Sequence, residues 1–405
     1  MKKIIILSDS DAGGGAAIAA FRFHKMLRKF GFHSYMIVRE KHTNDQFVIG
    51  PTQFTEKFLS KLYIYINRLF STFFVLNKHT LFTYNYFSFY WINNIITKID
   101  PDVVNIHWIN ENMLSFNEIS KIKYPIIFTL HDMNLFTGGC HYSSNCTKFL
   151  TSCSNCPVLR NEKYFNLASY LQKKKKYHLS KINNLLISGP SKWICEQAKN
   201  SSILENRIII NIPNPIDVSK FTPLNFSKNG KKKILFGAIN SLYDKRKGYK
   251  YLCEAINLLD PEKFCLEIFG NRNSEVDNNL KSFDINFYGH LSNEDEIINL
   301  YRSCDVFVVP SIQENFSNAI LESLSCGLPV VCFDIGGNSD MVKHKFNGYI
   351  SKPFESSDIK NGIEWCIQNY DHLTTNASQF IHENFSENKI HFHFLDILRI
   401  HFAIN

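Results

Sequence analysis

The chain has 405 residues, 44% of them hydrophobic, and a formal net charge of +8. This length exceeds one ordinary domain and suits two, each with its own core. The first apolar run stops at Ser8 and Asp9, too early for a secretory signal peptide, and no run of eighteen uncharged apolar residues predicts a membrane-spanning helix. The eleven cysteines, an odd number in a chain without an export signal, favour free thiols in a reducing cytoplasm.

Strand-like segments alternate with helical ones along the whole chain, which predicts an α/β fold of parallel sheets with crossover helices. The link between two domains is expected within residues 211–233, which are rich in Pro, Asn and Lys. We place the domains at residues 1–205 and 206–384, with a C-terminal helix of about residues 385–405 that is capped at Ser386. The predicted strands are residues 4–9, 34–39, 103–108, 126–132 and 185–191, then 234–239, 265–270, 285–290, 305–310 and 329–334.

The charge is distributed unevenly. Residues 1–190 contain 23 lysines and arginines against 11 acidic residues, whereas residues 191–405 contain 22 against 26. A basic first half suits an anionic membrane surface or an anionic acceptor, the alternative being a solvated basic surface. Residues 58–95, rich in aromatic and basic side chains, and the basic run 173–176 could seat this half on a membrane, or could simply pack on the first sheet. No nucleic-acid-binding pattern accompanies the charge, so no nucleic acid partner is expected.

The first predicted strand leads into three consecutive glycines, Gly13, Gly14 and Gly15, and then into a helical segment. Glycines let a backbone approach a ligand closely at a helix N-terminus. The spacing differs from the dinucleotide-binding pattern G-x-G-x-x-G, and glycine-rich first turns occur in many folds of this class. The loop alone is therefore a weak indication of a binding site.

Two histidines end neighbouring predicted strands. His131 is followed by Asp132, and His107 by Trp108. The C-terminal ends of parallel strands are where open α/β sheets bind ligands. A lone histidine at a strand end is usually structural, but this position makes both residues candidates for a site.

Four cysteines, Cys140, Cys146, Cys153 and Cys156, lie within seventeen residues, with His141 beside the first. This density predicts a structural zinc site, in which three or four thiolates leave no open coordination position. Only the last pair has C-x2-C spacing. The alternative is that the cysteines are small buried side chains.

Two glutamates, Glu314 and Glu322, are eight positions apart: Glu314 follows a predicted strand and Glu322 lies in the next helix. That helix is expected to be capped by Ser317 or Asn318, and its N-terminus would offer unpaired N–H groups to a phosphate. Because carboxylates repel phosphate, the glutamates suit hydroxyl groups. The segment therefore predicts a site for a sugar joined through a diphosphate to a nucleoside, the alternative being a strand–loop–helix unit with two solvated glutamates.

A basic turn, Arg246-Lys247-Gly248, follows the first predicted strand of the second half. Cationic side chains at this position can neutralise a departing diphosphate. The alternative is a basic turn without a function.

The surroundings of the two glutamates resemble the donor-site signature of retaining glycosyltransferases of family 4. The matching letters are PS before them, ENFS between them, and ESLSCGLPVV and FDIGG after them. The glycine loop, the strand-end histidine, PSKW at 190–193, PNPID at 213–217 and the Lys-Gly pair extend the resemblance over nearly the whole chain. It implies two Rossmann-like domains facing a central cleft, the GT-B arrangement. The first would bind the acceptor and carry the returning C-terminal helix, and the second would bind the donor.

The resemblance also implies residue roles. Glu314 would hold the sugar hydroxyls, Glu322 the ribose, and His131 the far edge of the sugar, while Lys247 and, second to it, Arg246 would stabilise the diphosphate. The implied donor-binding residues are Gly13, Gly14, Gly15, Asn315, Phe316, Ser317, Asn318, Glu322, Gly336 and Gly337. Two departures from the family pattern are Asn240-Ser241, where an arginine is usual, and Asp340, which replaces a glutamate and whose role is therefore in doubt.

We therefore expect a retaining glycosyltransferase that moves a sugar from a nucleoside-diphosphate sugar to a hydroxyl of a glycan or lipid-linked oligosaccharide. The cysteine segment resembles an insertion found in family members that build bacterial surface polysaccharides, such as lipopolysaccharide O-antigen, capsule or exopolysaccharide. No catalytic metal is expected, and the location would be cytoplasmic or peripheral at the inner membrane. Two alternatives are a sugar-nucleotide epimerase of the same architecture and a non-catalytic glycan-assembly protein.

Overall fold

The computed structural model describes residues 2–76, 80–160, 166–224, 230–237, 244–270, 279–291 and 293–404. The chain divides into two compact units: unit 1 is Met1–Asn214 with His391–Asn405, and unit 2 is Pro215–Ile390. Each unit contains one parallel sheet, which confirms the predicted α/β class with two Rossmann-like domains. Within the described parts of the chain, no helix is both long and apolar enough to cross a membrane.

The sheet of unit 1 has the strand order β3-β2-β1-β4-β5-β6-β7 in the described residues. Its central strands are aliphatic and buried on both faces, as expected of a parallel sheet covered by helices. The strands are β1 (Lys3–Ser10), β2 (His33–Glu40), β3 (Val48–Ile49), β4 (Val103–Ile106), β5 (Ile126–Thr129), β6 (Leu185–Gly189) and β7 (Ile209–Asn211). The helices are α1 (Gly15–Lys29), α2 (Phe54–Phe74), α3 (Tyr90–Ile99), α4 (Phe116–Ile119), α5 (Leu167–Ser180) and α6 (Lys192–Lys199).

The sheet of unit 2 has the strand order β10-β9-β8-β11-β12-β13 in the described residues. The strands are β8 (Lys232–Gly237), β9 (Phe264–Phe269), β10 (Asp284–Gly289), β11 (Val306–Val309), β12 (Val330–Phe333) and β13 (Gly348–Ser351). The helices are α7 (Tyr249–Ile256), α8 (Glu294–Ser303), α9 (Asn318–Ser325), α10 (Asn338–Met341), α11 (Ser356–Gln368) and α12 (Tyr370–Phe385), after which α13 (Glu387–Phe402) ends the chain.

The boundaries of the units differ from the predicted ones. Unit 1 continues to Asn214 rather than to residue 205, because β7 pairs with β6 and belongs to the first sheet. The predicted C-terminal helix is present as α13, directly after Ser386, and its residues from His391 onward belong to unit 1. There the ring of Phe394 packs edge-on against Phe23 of α1, with 5.0 Å between the centroids.

Each sheet has a point where the direction of strand addition reverses. In unit 1 the central strand β1 lies between β2 and β4, and in unit 2 the corresponding strand β8 lies between β9 and β11. Open parallel sheets bind ligands outside the carboxyl ends of the strands at such a switch point. The residues that follow β8 and β11, and those that follow β1 and β4, are therefore the places to look for a site.

Candidate functional site

Glu314 and Lys247 form an ion pair at the switch point of unit 2. Lys247 belongs to the short turn Lys245–Lys247 that precedes α7, and Glu314 lies in the loop after β11. Nζ of Lys247 donates to Oε2 of Glu314 at 2.7 Å, and the two side chains are 27% and 11% exposed. Partial exclusion of water strengthens the attraction of two such charges. The structure thus brings together two of the predicted catalytic residues from distant parts of the chain.

Two glycines hold the main chain around Glu314. Gly248 has a φ of +71°, and a Cβ there would meet the carbonyl oxygen of Pro310 at 1.8 Å. Gly336 has a φ of +59°, and a Cβ there would meet the carbonyl oxygen of Glu314 at 1.6 Å. Both positions therefore require glycine for the backbone conformation and for the close approach. The predicted Gly-Gly turn acts at least in part by packing directly against the Glu314 loop.

Helix α9 begins beside Glu314. The side chain of Ser317, the predicted cap, accepts a hydrogen bond from the backbone N–H of Ile320 at 3.4 Å. The predicted donor-binding residues Asn315 and Phe316 are buried between Glu314 and this helix start. The first turn of α9 offers backbone N–H groups and the positive end of the helix dipole to an anion.

Glu322 is 7% exposed, and its Oε2 accepts a hydrogen bond from the hydroxyl of Tyr301 in α8 at 3.0 Å. The sequence analysis did not single out Tyr301. Its position among the inward-facing residues of α8 could have identified it from the sequence, because a buried phenol requires a hydrogen-bond partner.

The second predicted cation, Arg246, has a different partner from Lys247. Its guanidinium group donates to both carboxylate oxygens of Asp244, at 3.0 and 2.6 Å. Residues Asn240 and Ser241, where the family pattern has an arginine, lie outside the described residues. Of the two adjacent cations, Lys247 is therefore the one whose side chain contacts Glu314.

The glycine loop of unit 1 is open. Gly13 has a φ of +91°, and a Cβ added at Gly13 or at Gly14 would meet no atom within 4 Å. Gly14 directly precedes α1, which begins at Gly15. The loop therefore has room beside its main chain, as a binding loop needs.

His131 and His107 contact each other at the carboxyl ends of β5 and β4. Nδ1 of His107 and Nε2 of His131 are 2.8 Å apart. Burial lowers the pKa of both imidazoles, that of His131 to about 4, so both are neutral at pH 7. The N–H of one ring donates a hydrogen bond to the unprotonated nitrogen of the other, and neither ring carries a charge.

Asp132, which follows His131 in the chain, is hydrogen-bonded to His141 in the cysteine segment. Its Oδ2 accepts hydrogen bonds from the indole N–H of Trp108 at 2.8 Å and from Nδ1 of His141 at 2.6 Å. Nε2 of His141 lies 2.7 Å from the hydroxyl of Thr83. Burial alone would raise the pKa of Asp132, but His141 and the hydrogen bonds to the carboxylate lower it. His141, which stands beside Cys140 in the sequence, is therefore a hydrogen-bond partner of Asp132.

The four cysteines line one small cavity of about 20 Å³ as free thiols. Burial raises the pKa of Cys140 and of Cys153 to about 11, so both thiols are protonated at pH 7. Across the described residues, no group of three or more His, Cys, Asp or Glu side chains is arranged to hold a metal ion. The structural zinc site therefore stays a prediction, without a ready-made set of ligands to support it.

Comparison with known proteins gives a family match within the second unit. Residues 222–382, which include Lys247, Glu314, α9 and Gly336, match the family described as Glycosyl transferases group 1. A similar protein is the UDP-Gal:alpha-D-GlcNAc-diphosphoundecaprenol alpha-1,3-galactosyltransferase of Escherichia coli, 30% identical over 39% of this chain and 44% of that one. Another is the N,N'-diacetylbacillosaminyl-diphospho-undecaprenol alpha-1,3-N-acetylgalactosaminyltransferase of Campylobacter jejuni subsp. jejuni serotype O:2, 24% identical over 45% and 52%.

The chain spans about half the length of these curated relatives. A solved structure, the sucrose-phosphate synthase of Thermosynechococcus elongatus, matches over 100% of both chains with a TM-score of 0.69 at 14% identity. This likeness shows the fold alone, which is that of the GT-B glycosyltransferases and agrees with the predicted fold class. Residues 222–382 therefore match the Glycosyl transferases group 1 family, and the chain has a fold of two parallel-sheet units.

Proposed function

We propose that this protein is a retaining glycosyltransferase that moves a sugar from a nucleoside-diphosphate sugar to a hydroxyl of a lipid-linked saccharide in surface-polysaccharide assembly. The observation that carries the proposal is the contact between Lys247 and Glu314 beside the N-terminus of α9, at the switch point of unit 2. One cation, one carboxylate and a row of backbone N–H groups meet there. A diphosphate and a hydroxylated sugar need this combination of partners.

Each group at this site has a role in the proposal. The N–H groups at the start of α9 and the ammonium group of Lys247 bind the diphosphate, with Arg246 as a secondary cation. Glu314 accepts hydrogen bonds from sugar hydroxyls, and Glu322, oriented by Tyr301, accepts them from the ribose. In unit 1, the neutral imidazole of His131 is available to a sugar hydroxyl.

In the proposed reaction the bond between the anomeric carbon and the diphosphate oxygen breaks, and its electron pair leaves with the diphosphate. The acceptor hydroxyl forms the new bond to the anomeric carbon from the same face, and its proton passes to the departing phosphate oxygen. Lys247 and the N–H groups of α9 stabilise the negative charge that develops on the leaving group. Glu314 holds the sugar while its ring carries positive charge.

The proposed donor and acceptor classes rest on the relatives. The Escherichia coli protein is named for a UDP-sugar donor and a diphosphoundecaprenol-linked acceptor, and the Campylobacter protein for a second acceptor of that lipid class. We therefore take UDP as the first nucleotide to test and a polyprenyl-diphosphate-linked saccharide as the acceptor. The charge and aromatic content of unit 1 fit an acceptor of this kind.

Helix α2 supports attachment to the inner face of an anionic membrane. Its fully buried residues are polar, namely Glu56, Ser60 and Asn67, and three further residues pack partly buried against the core: Leu59, Tyr63 and Phe74. Its exposed residues include large apolar side chains together with basic ones: Phe54, Phe58, Tyr65, Leu69, Phe70 and Phe73, with Lys57, Lys61 and Arg68. A helix with an apolar outer face and basic neighbours is suited to the interface of a bilayer with anionic lipids.

A flotation assay tests this attachment. The wild-type protein should float with vesicles that contain anionic lipid and much less with neutral ones. The double substitution F58S/Y65S should abolish flotation, whereas F392S, which alters an exposed phenylalanine of α13, should not. Equal flotation of all three proteins would refute a role for α2.

The donor site is tested by melting the purified protein with UDP-, GDP-, ADP- and CMP-sugars. A ligand at one hundred times its dissociation constant adds about 2.7 kcal/mol of stability, enough to raise a melting temperature by several degrees. We expect one diphosphate nucleotide to raise it, and Glu322→Ala to remove the effect. Transfer to a lipid-linked acceptor, with the anomeric configuration of the product read by NMR, then tests retention. Conversion of the nucleotide sugar into a different nucleotide sugar without acceptor, or no nucleotide release under any condition, would refute the assignment as a transferase.

A further inference from the structure

Unit 1 contains a cavity of about 750 Å³ that no role proposed so far uses. It lies between residues 84–88, the segment around α4, and helix α5. Its aromatic side chains are Tyr63, Tyr84, Tyr86, Phe87 and Phe116, and its cations include Lys174 and Lys175. This volume is in the range of pockets that enclose a small organic ligand.

Lys175 supplies a buried positive charge to the wall of this cavity. The residue is 2% exposed, and its Nζ donates to the backbone carbonyl oxygens of Asn134 and of Thr137, the latter at 3.1 Å, and to Oδ1 of Asn134 at 3.4 Å. No ion pair between Lys175 and a carboxylate occurs among the described residues, and the Asp132 carboxylate is already bound by His141. A buried ammonium group with neutral partners favours an anion in the adjoining space.

Two further groups face the same space. Nζ of Lys174 lies 4.0 Å from the centre of the Tyr86 ring, so a cation and an aromatic face stand together at the cavity wall. His178 is 7% exposed, and its buried Nδ1 has no hydrogen-bond partner in the described part of the chain. The one carboxylate of the lining, Glu118, is paired with Lys121 at 2.5 Å. The balance of charge in the cavity is therefore positive.

The cavity is lined by one residue of α2 and opens at two exposed aromatic side chains. Tyr63 of α2 lines it and stacks on Phe87, with 5.2 Å between the ring centroids. Tyr86 and Phe87 are 45% and 40% exposed and so belong both to the cavity and to the outer surface. A lipid chain on that surface would lead directly to the cations.

The cavity also adjoins the histidine pair. A second, small cavity of about 20 Å³ is lined by His107 and His131, and it shares Asn85 and Phe116 with the large one. A ligand head group in the large cavity would therefore lie next to the carboxyl edge of the first sheet.

We propose that this cavity binds the diphosphate and first sugar of a polyprenyl-diphosphate-linked saccharide, with the lipid chain leaving over Tyr86 and Phe87. Lys174 binds the diphosphate, and the buried positive charge of Lys175 lies behind it. His178 donates to or accepts from the head group, and Tyr86 stacks on the sugar ring. This assignment rests on the proposed transferase function, because it names the site of that reaction's acceptor.

The test is a titration with farnesyl diphosphate, a soluble lipid diphosphate, below its micelle concentration and followed by calorimetry. Lys174→Ala should weaken binding about tenfold. Lys173→Ala, its neighbour on α5, is an exposed lysine outside the cavity lining and should leave binding unchanged. Lys174 is substituted rather than Lys175 because the Lys175 ammonium group also donates hydrogen bonds to backbone carbonyl oxygens, so its loss could disturb the fold. Farnesol, which lacks the diphosphate, should bind at least tenfold more weakly than farnesyl diphosphate.

If Lys174→Ala and Lys173→Ala lose the same affinity for farnesyl diphosphate, general positive charge attracts the ligand and the assignment is overturned. Equal affinity for farnesol and farnesyl diphosphate would overturn it as well, because binding would then be purely apolar. Failure of the transferase proposal gives a different result: farnesyl diphosphate binds in a Lys174-dependent manner while no nucleotide binds and no sugar is transferred. Conversely, transfer activity that does not depend on Lys174 would leave the transferase function standing without this site.

Discussion

Gly336→Ala offers a sharp test of the site in unit 2. The substitution places a Cβ 1.6 Å from the carbonyl oxygen of Glu314, at a φ of +59°. Alanine at such a φ costs about 1–2 kcal/mol, and overpacking against main chain adds about 1–3 kcal/mol. The main chain of Glu314 must therefore move, and its carboxylate shifts relative to Lys247. We expect a total loss of about 2–5 kcal/mol in the free energy of unfolding.

A matched variant separates the two contributions. Gly289 has a φ of +64°, but a Cβ there would meet no atom within 4 Å, so Gly289→Ala carries only the backbone cost. For a domain of this size, 1 kcal/mol corresponds to about 2–4 °C in the melting temperature. Gly289→Ala should lower the melting temperature by about 2–8 °C, and Gly336→Ala should lower it further.

Circular dichroism on heating measures the stability, and initial rates of sugar transfer measure kcat/KM. Gly336→Ala should also reduce kcat/KM about tenfold or more, because displacement of a positioned catalytic group by even 1 Å is costly. If Gly336→Ala has the same melting temperature as Gly289→Ala and retains full activity, the close approach of Gly336 to Glu314 does not set the geometry of the site.

Three further predictions concern single side chains. Glu314→Ala should remove about 2–4 kcal/mol of transition-state stabilisation and lower kcat/KM accordingly. A fully active variant would refute the role of Glu314 in holding the sugar. Tyr301→Phe removes the hydroxyl that binds Glu322, so nucleotide affinity measured by calorimetry should fall about fivefold, and an unchanged affinity would argue against that role. Burial lowers the pKa of His24 from 6.5 to about 4. As the pH falls below 6.5, this histidine is protonated in the unfolded chain but stays neutral in the folded protein, so the free energy of unfolding decreases. The loss should be about 2 kcal/mol between pH 7 and 5 in urea unfolding. It should be smaller in His24→Gln, and identical pH profiles would contradict it.

The sequence predicted the sheets well because most of their strands are rich in aliphatic and aromatic residues. Each of the ten predicted strands overlaps an observed one, whereas β3, β7 and β13 were missed. Strands β3 and β7 have only two and three residues, and β13 has the sequence GYIS, which lacks the unbroken apolar run of a predicted four-residue strand such as β11, VFVV. Sequence reasoning also ended the first domain before β7, because only the pairing of β7 with β6 assigns that segment to the first sheet.

Side-chain contacts were harder to predict than elements. Lys247 and Glu314 were both singled out, but their pairing depends on β8 and β11 being neighbours, which a local pattern does not reveal. His141 was grouped with Cys140 by position, although its partners are Asp132 and Thr83. Helix α2 has the apolar residues of an ordinary packed helix, and only the structure shows that several of its large apolar side chains, such as Phe58 and Tyr65, face outward.

The outward-facing aromatic residues of α2 also bear on how turnover should be measured. A protein held at a bilayer by this face would meet a lipid-linked acceptor in two dimensions, at a local concentration set by the density of that lipid in the surface. Its rate should then follow the mole fraction of acceptor in vesicles or mixed micelles rather than its bulk concentration. Added detergent would slow the reaction by dilution within the surface, without inhibiting the enzyme at all.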